Sequence, residues 1–374
     1  MLARRTAGGK IPILFMIKGD KIGPEYTIKI YNSKFNIWAF LVIDNTKRGP
    51  GKGGIRMTGS VSEEEVFRLA RAMTLKNALA NLPFGGAKSG IVFDPKKADV
   101  KTKKEIVVWF ARALKPLSPS LYIAAPDVNM AEKEVAWYVE TNGSKKSATG
   151  KPKRLGGLPH ELGSTGFGVA EAAKRALEFL GIPVSRATIA IEGLGNVGVF
   201  AFKFLSEAGA RIIAVSDSKG AILNRNGLQY KEVVSAKKKT GSVMNCEGAD
   251  KITGAEIFNI DCDVLIPAAL PDVINEDNFE KVAAKIIVQG ANIPMKEAIE
   301  KKLHRKGVLV IPDFVANAGG VISSYAEYKG WGEKKMWQMI EKTIGANVDQ
   351  VLTAMKKNGK IPREIATEIA ESRL

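Results

Sequence analysis

Three lysines stand in settings suited to chemistry. Lys52 lies in GPGKGGIR, Lys76 in MTLKN and Lys88 in PFGGAKSG. Flanking glycines take away side-chain cover and let a small ligand reach an ammonium group. A lysine that is partly desolvated or close to other cations has its charged form disfavoured, so its pKa falls. Such an amine can exchange protons near neutral pH. The plain alternative is three solvated surface lysines. That would serve for any one of them but accounts poorly for the set.

A second constellation is Gly193-Leu194-Gly195-Asn196-Val197-Gly198, a G-x-G-x-x-G run. Alone it is a weak signal. Here the strand-like ATIAIE precedes it, a helix-like stretch begins at Asn196, and Asp217 closes the next strand-like run, RIIAVSD. That context is the dinucleotide fingerprint: the glycines admit a pyrophosphate to a helix N-terminus and the acid reads the ribose. Asp217 is expected to accept from both ribose hydroxyls of NAD and to repel a 2′-phosphate. This favours NAD over NADP, with Lys219 nearby to soften the preference and leave NADP possible.

The elements that must position these residues divide into two patterns. The first part reads as mixed α/β. Strands are expected at 26–31 and 37–44. A helix should open at a Ser62–Glu65 capping box, with Val66, Leu69, Ala70, Met73 and Asn77 inward. A second box, Thr102–Glu105, should open a helix with Ile106, Trp109, Phe110 and Ala113 inward. Between them, Pro83 to Gly90 reads as a glycine-rich loop, and 142–157 as a linker or exposed loop. From Thr165 short apolar strands alternate with helices, the pattern of a parallel, doubly wound sheet. The late strands are DVLIPA, KIIVQGA and GVLVIPD. Trp331, Met336, Trp337 and Met339 read as core or interface residues.

Bulk properties narrow the function classes. A chain of 374 residues with 45% hydrophobic content has length for two domains and ample core. No apolar run approaches the ~20 residues of a membrane span. The basic N-terminus and its IPILFMI run lack the cleavage site of a secretory signal. Two cysteines, Cys246 and Cys262, make no disulfide framework, and a cytoplasmic setting is expected. His160 and His304 lack metal-ligand spacing, so no metal is expected. The net charge of +17 invites a nucleic-acid reading, but the lysines are dispersed and mixed with acids.

Seven motifs then occur in one order: GPGKGGIRM, MTLKNALANLPFGGAKSGI, AAPDVNM, STGFGVA, EGLGNVG, QGAN and VANAGGVISSYAEY. In that order they resemble the Glu/Leu/Phe/Val dehydrogenase family, from about residue 38 to about 330. The resemblance implies an N-terminal substrate and assembly domain (1–160, rejoined by helices 330–374), a Rossmann domain (161–329) and catalysis in the cleft between them. It implies that Lys88 is the catalytic lysine and that Asp127 moves protons at the substrate nitrogen. It also implies that Lys76 binds the α-carboxylate, that Thr165 and Asn196 contact the cofactor, and that Asn292 and Asn317 border the nicotinamide. Members acting on glutamate carry a lysine at Lys52 and a serine at Ser324, where leucine-type members are apolar. A buried γ-carboxylate needs such partners. The expected reaction is glutamate to 2-oxoglutarate and ammonium, with hydride passing to NAD(P), in a homo-oligomer, a hexamer by preference. The alternatives are a leucine, valine or phenylalanine dehydrogenase, or a non-catalytic nucleic-acid-binding relative. The chain departs from the usual pattern at Ser89, where glycine is common, and at Glu161, where many relatives have arginine.

Overall fold

The computed structural model describes residues 17–158 and 162–374, omitting the side chain of Lys97. The N-terminal run, His160 and Glu161 lie outside the described residues. The chain falls into two compact units. One contains residues up to Thr74 and 84–148; the other contains 75–83 and 149–374.

The first unit is a six-stranded mixed sheet with helices. Its strands are β1 (Tyr26–Asn32), β2 (Ile37–Asn45), β3 (Gly51–Lys52), β4 (Ile55–Thr58), β5 (Gly85–Val92) and β6 (Tyr122–Ile123). The order is β1-β2-β5-β3-β6, with β4 also paired to β5. Helices α1 (Glu63–Leu79), α2 (Val100–Leu114) and α3 (Glu132–Asn142) accompany it, and the tail of α1 passes into the second unit. Helix α1 starts as expected, with Ser62 Oγ accepting from Glu65 N at 3.2 Å.

Several expectations are corrected here. Pro83–Gly90 is no loop: most of it is β5, a buried strand in the middle of the sheet. Its glycines answer to packing. A Cβ on Gly86 would lie 2.1 Å from Thr74 Oγ1, because α1 crosses β5 too closely for any side chain. Nor does Thr102–Glu105 form a capping box. Asp99 caps α2 by accepting from Thr102 N at 2.7 Å, while Glu105 pairs with Lys34 at 2.6 Å. The inward face also differs: Ile106, Val107, Phe110, Ala111 and Leu114 are buried, while Trp109 is half-buried and Ala113 is exposed. The 142–157 stretch contains two 3-10 turns, Lys145–Ser147 and Lys153–Leu155, and buries Ser147, Thr149 and Lys151.

The second unit is a seven-stranded sheet ordered β10-β9-β8-β7-β11-β12-β13. Strands β7 (Thr188–Glu192), β8 (Arg211–Asp217), β11 (Val264–Pro267), β12 (Ile286–Val288) and β13 (Leu309–Ile311) are parallel. The antiparallel pair β9 (Gly220–Leu223) and β10 (Asp250–Ile252) extends one edge. Helices are α4 (Ser164–Phe179), α5 (Asn196–Glu207), α6 (Tyr230–Thr240), α7 (Glu297–Arg305), α8 (Asp313–Ala316), α9 (Gly319–Tyr328), α10 (Glu333–Asn358) and α11 (Pro362–Ser372). After β7 the chain adds β8 on one side and β11 on the other, a topological switch point of the kind where dinucleotides bind. Trp337 packs edge-on against Phe167 at 4.9 Å between centroids, tying α10 to α4. Among the described residues no helix is long and apolar enough to cross a membrane.

Candidate active site and dinucleotide site

In the first unit β5 presents Gly86, Lys88 and Gly90 on one face, because side chains alternate along a strand. Lys88 Nζ lies 2.7 Å from Asp127 Oδ2. That aspartate comes from the turn after β6, where Asp127 and Met130 exchange backbone hydrogen bonds at 2.9 and 3.2 Å. The sequence offered other lysines as neighbours for Lys88; the neighbour described here is a carboxylate.

Arg56 on β4 completes the group. Its Nε donates to Asp127 Oδ2 at 3.0 Å and its Nη1 to Glu65 Oε1 at 2.5 Å. Burial pushes the Asp127 carboxyl up, but Lys88 and Arg56 outweigh it and hold Asp127 below the usual carboxylate range. Asp127 is thus an ionised acceptor fixed between two cations. Sequence reading gave Arg56 no role, although it sits in the quoted GPGKGGIRM motif. The missing signal was that β4 and the 126–130 turn meet: Met57 N donates to Val128 O at 3.0 Å.

Lys52 is 2% exposed on β3, and its Nζ donates to Ala124 O at 3.1 Å. Ser89 departs from glycine without strain. It points to the opposite face of β5, where its hydroxyl and that of Tyr122 lie 2.9 Å apart. Tyr122 in turn donates to Gly53 O at 3.1 Å. Burial holds the Tyr122 phenol far above its ordinary value, so it stays protonated and ties β3, β5 and β6 together behind Lys88.

In the second unit the glycine run forms the β7–α5 turn. Gly193 has φ +88°, and a Cβ on Gly198 would lie 2.1 Å from Gly193 O, so both positions demand glycine. Above Gly195 a Cβ would meet nothing within 4 Å, and Asn196 is exposed at the helix N-terminus with Val197 half-buried behind it. The backbone donors therefore face open space, as a pyrophosphate requires. Thr165 is the second residue of α4, half-buried.

Asp217 ends β8 but is more occupied than its sequence position suggests. Its carboxylate accepts from Val243 N at 2.7 Å, Lys219 N at 2.9 Å and Ser242 Oγ at 3.1 Å. Lys237 Nζ stands 3.9 Å away, anchored on Leu194 O at 2.7 Å. A carboxylate has about four acceptor positions, so about one remains for a ribose.

The asparagines expected beside the nicotinamide do meet. Asn317 Nδ2 donates to Gly290 O at 3.2 Å, Ala291 O at 3.3 Å and Asn292 Oδ1 at 3.0 Å. Lys76 Nζ donates to the same Asn292 oxygen at 3.0 Å. Asn317 Oδ1 is buried with no hydrogen-bond partner, an acceptor that suits a carboxamide N–H. The open α5 N-terminus and this orphaned oxygen both fit a nicotinamide dinucleotide. Ser324 is half-buried on α9, one turn before Glu327. Glu327 accepts from Gly150 N at 3.0 Å, Leu158 N at 3.1 Å and Lys151 Nζ at 2.5 Å, fixing that helix against the 149–158 segment. No group of three potential metal ligands occurs among the described residues.

Sequence comparison agrees with this geometry. Residues 27–143 match the Glu/Leu/Phe/Val dehydrogenase dimerisation domain, and residues 156–374 match the Glutamate/Leucine/Phenylalanine/Valine dehydrogenase domain. The chain belongs to this family of NAD(P)-dependent amino-acid dehydrogenases. It is 41% identical over 292 residues to the NADP-specific glutamate dehydrogenase of Saccharolobus shibatae, covering 76% of this chain and 69% of that protein. It is 38% identical over 342 residues to the glutamate dehydrogenase of Thermotoga maritima, covering 89% and 80%. The hetero-hexameric glutamate dehydrogenase of Thermus thermophilus, solved with leucine bound, superposes with a TM-score of 0.85 at 28% identity, covering 94% of this chain and 88% of that one.

Proposed function

We propose that the protein is a glutamate dehydrogenase, converting L-glutamate reversibly to 2-oxoglutarate and ammonium. The observation that carries the choice of glutamate is Lys52, an ammonium buried to 2% exposure on a strand of the first unit. An ammonium so placed offers a charge-assisted donor to a side-chain carboxylate, a group that an apolar substrate does not carry. The relatives named glutamate dehydrogenase support the same reading.

In this reading Lys52 and Ser324 hold the γ-carboxylate and Lys76 the α-carboxylate. Thr165, Gly193, Gly195, Asn196, Val197, Gly198, Asp217, Asn292 and Asn317 hold the dinucleotide. When bound, its nicotinamide ring accepts the hydride from Cα. Water then adds to the substrate iminium carbon while Lys88 takes the water's proton. Lys88 must shed a proton to act again, and Asp127 Oδ2 at 2.7 Å can receive it and deliver it to the departing nitrogen. The Lys88 ammonium also stabilises the oxyanion that develops.

On the cofactor, three donors already occupy Asp217, Lys237 Nζ at 3.9 Å offsets part of its charge, and Lys219 stands close by in sequence. NADP is therefore tolerated alongside NAD. The matched dimerisation domain supports a homo-oligomer, and we favour a hexamer in the cytoplasm, where the free thiols of Cys246 and Cys262 stay reduced.

Lys88→Ala tests the chemistry. Asp127 keeps Arg56, so folding and dinucleotide binding should survive while turnover falls by about a thousandfold or more. Turnover within about tenfold of the parent would remove Lys88 from the mechanism.

A further inference from the structure

The C-terminal helix α11 sends one side chain into a buried polar cluster. Arg363 donates to both oxygens of Glu300 at 2.8 Å, to Asp313 Oδ1 at 2.9 Å and to Gln289 Oε1 at 3.1 Å. Gln289 is fully buried, Glu300 is 2% exposed and Asp313 is 4% exposed. Gln289 also donates to Glu300 at 2.6 Å and accepts from Asp313 N at 3.0 Å, and Asp313 Oδ2 accepts from Ile293 N at 3.0 Å.

These contacts clamp two short segments. One is 289–293, which follows β12 and contains Asn292. The other is α8, whose first residue is Asp313 and whose C-cap is Asn317. Their far ends converge on Asn292 Oδ1, which receives both Asn317 Nδ2 and Lys76 Nζ at 3.0 Å. Charge follows the same route. Burial pushes the Asp313 carboxyl up, but Arg363, Lys76 and the Ile293 N–H outweigh it and hold it ionised. Burial leaves Glu300 above its ordinary value even beside Arg363. The half-buried Arg363 thus faces both Glu300 and Asp313, and the buried Lys76 adds its charge at Asp313. Without Arg363 the Asp313 carboxylate would be left to the Lys76 ammonium, the group that must meet a carboxylate of the substrate.

We propose that Arg363 is a positioning residue for substrate binding: from α11 it fixes the 289–293 and 313–317 segments and thereby the Lys76 ammonium. The proposal rests on the reading of Lys76 as an α-carboxylate ligand. Its distinctive consequence is a loss in substrate affinity at conserved fold that exceeds the loss in cofactor affinity, because the β7–α5 turn takes no part in the cluster and only the nicotinamide end of the dinucleotide borders Asn292 and Asn317.

The test uses the full-length enzyme and Arg363→Met combined with Glu300→Gln, which removes one charge of each sign and leaves Asp313 with Lys76. Melting temperature, NAD(P)H affinity by fluorescence, and KM and kcat for glutamate are measured together. The expected result is a folded enzyme, a KM for glutamate raised by about tenfold or more, and a smaller loss in NAD(P)H affinity. A folded double variant with KM and kcat within about twofold of the parent would overturn the proposal. If the double variant does not fold, Arg363→Lys decides, since it keeps the charge but cannot make the forked contacts: a raised KM supports the role and an unchanged KM overturns it. A parent enzyme without glutamate turnover would count against the proposed function itself. An active parent with unaffected variants would count against Arg363 alone.

Discussion

Arg56 donates from Nε to Oδ2 of Asp127 at 3.0 Å, on the oxygen that also faces Lys88 at 2.7 Å. Two cations thus share one carboxylate oxygen. Arg56 holds Asp127 ionised so that Lys88 need not do so alone.

This sharing has a consequence for pH. Arg56→Met removes one of the two charges that depress the Asp127 pKa, while burial, which raises it, remains. The Asp127 pKa therefore rises, and the acid limb of kcat/KM should move to higher pH by about one unit. The same sign governs stability. A depressed native pKa contributes stability above the unfolded value and loses it as pH falls through the native one. The variant should lose part of that contribution at neutral pH. A pH–rate profile that overlays the parent's would show that Arg56 does not tune Asp127.

Lys52→Leu with Ser324→Val should turn preference toward apolar amino acids. Each charge-assisted bond to the γ-carboxylate contributes on the order of 1.5–3 kcal/mol. In the variant an unpaired carboxylate would face methyl groups instead. Lys88 and Asp127 are untouched, so activity on leucine should persist. The ratio of kcat/KM for glutamate to that for leucine should fall by about a hundredfold or more. A ratio that stays at the parental value would remove Lys52 and Ser324 from the specificity pocket.

The cofactor prediction changes once the neighbours of Asp217 are known. From the sequence alone Asp217 binds both ribose hydroxyls and repels a 2′-phosphate. With Val243 N, Lys219 N and Ser242 Oγ already on its carboxylate, it can hold about one hydroxyl, and Lys237 at 3.9 Å offsets part of its charge. The parent should use NAD and NADP with kcat/KM values within about tenfold of each other. Asp217→Asn should lower both by similar factors, mainly by loosening the 242–244 turn. A fall confined to NAD would show that Asp217 reads the ribose after all.

What the sequence made legible was whatever depends on local order along the chain. The glycine run, the strand before it and Asp217 after it lie within about 30 residues, and the parallel sheet follows from alternating short apolar runs. Contacts between segments distant in sequence were not legible. Arg56 reaches Asp127 across 71 positions, and Arg363 reaches Gln289 across 74. Strand β5 was misread for a related reason. Its glycines imitate a loop, and close approaches such as that of Thr74 to Gly86 show that they are packing residues. The cap of α2 fell to Asp99 because its carboxylate, one turn earlier, accepts the Thr102 N–H and so places Thr102 inside the helix.

The most direct measurement is the initial rate of NAD(P)H formation by the purified enzyme with glutamate, leucine, valine and phenylalanine in turn, each with NAD and with NADP. The buried Lys52 and the Lys88–Asp127 pair predict a kcat/KM for glutamate at least about a hundredfold above the other three. Preference for an apolar amino acid, or no turnover of any of the four, would contradict the reading of this protein as a glutamate dehydrogenase.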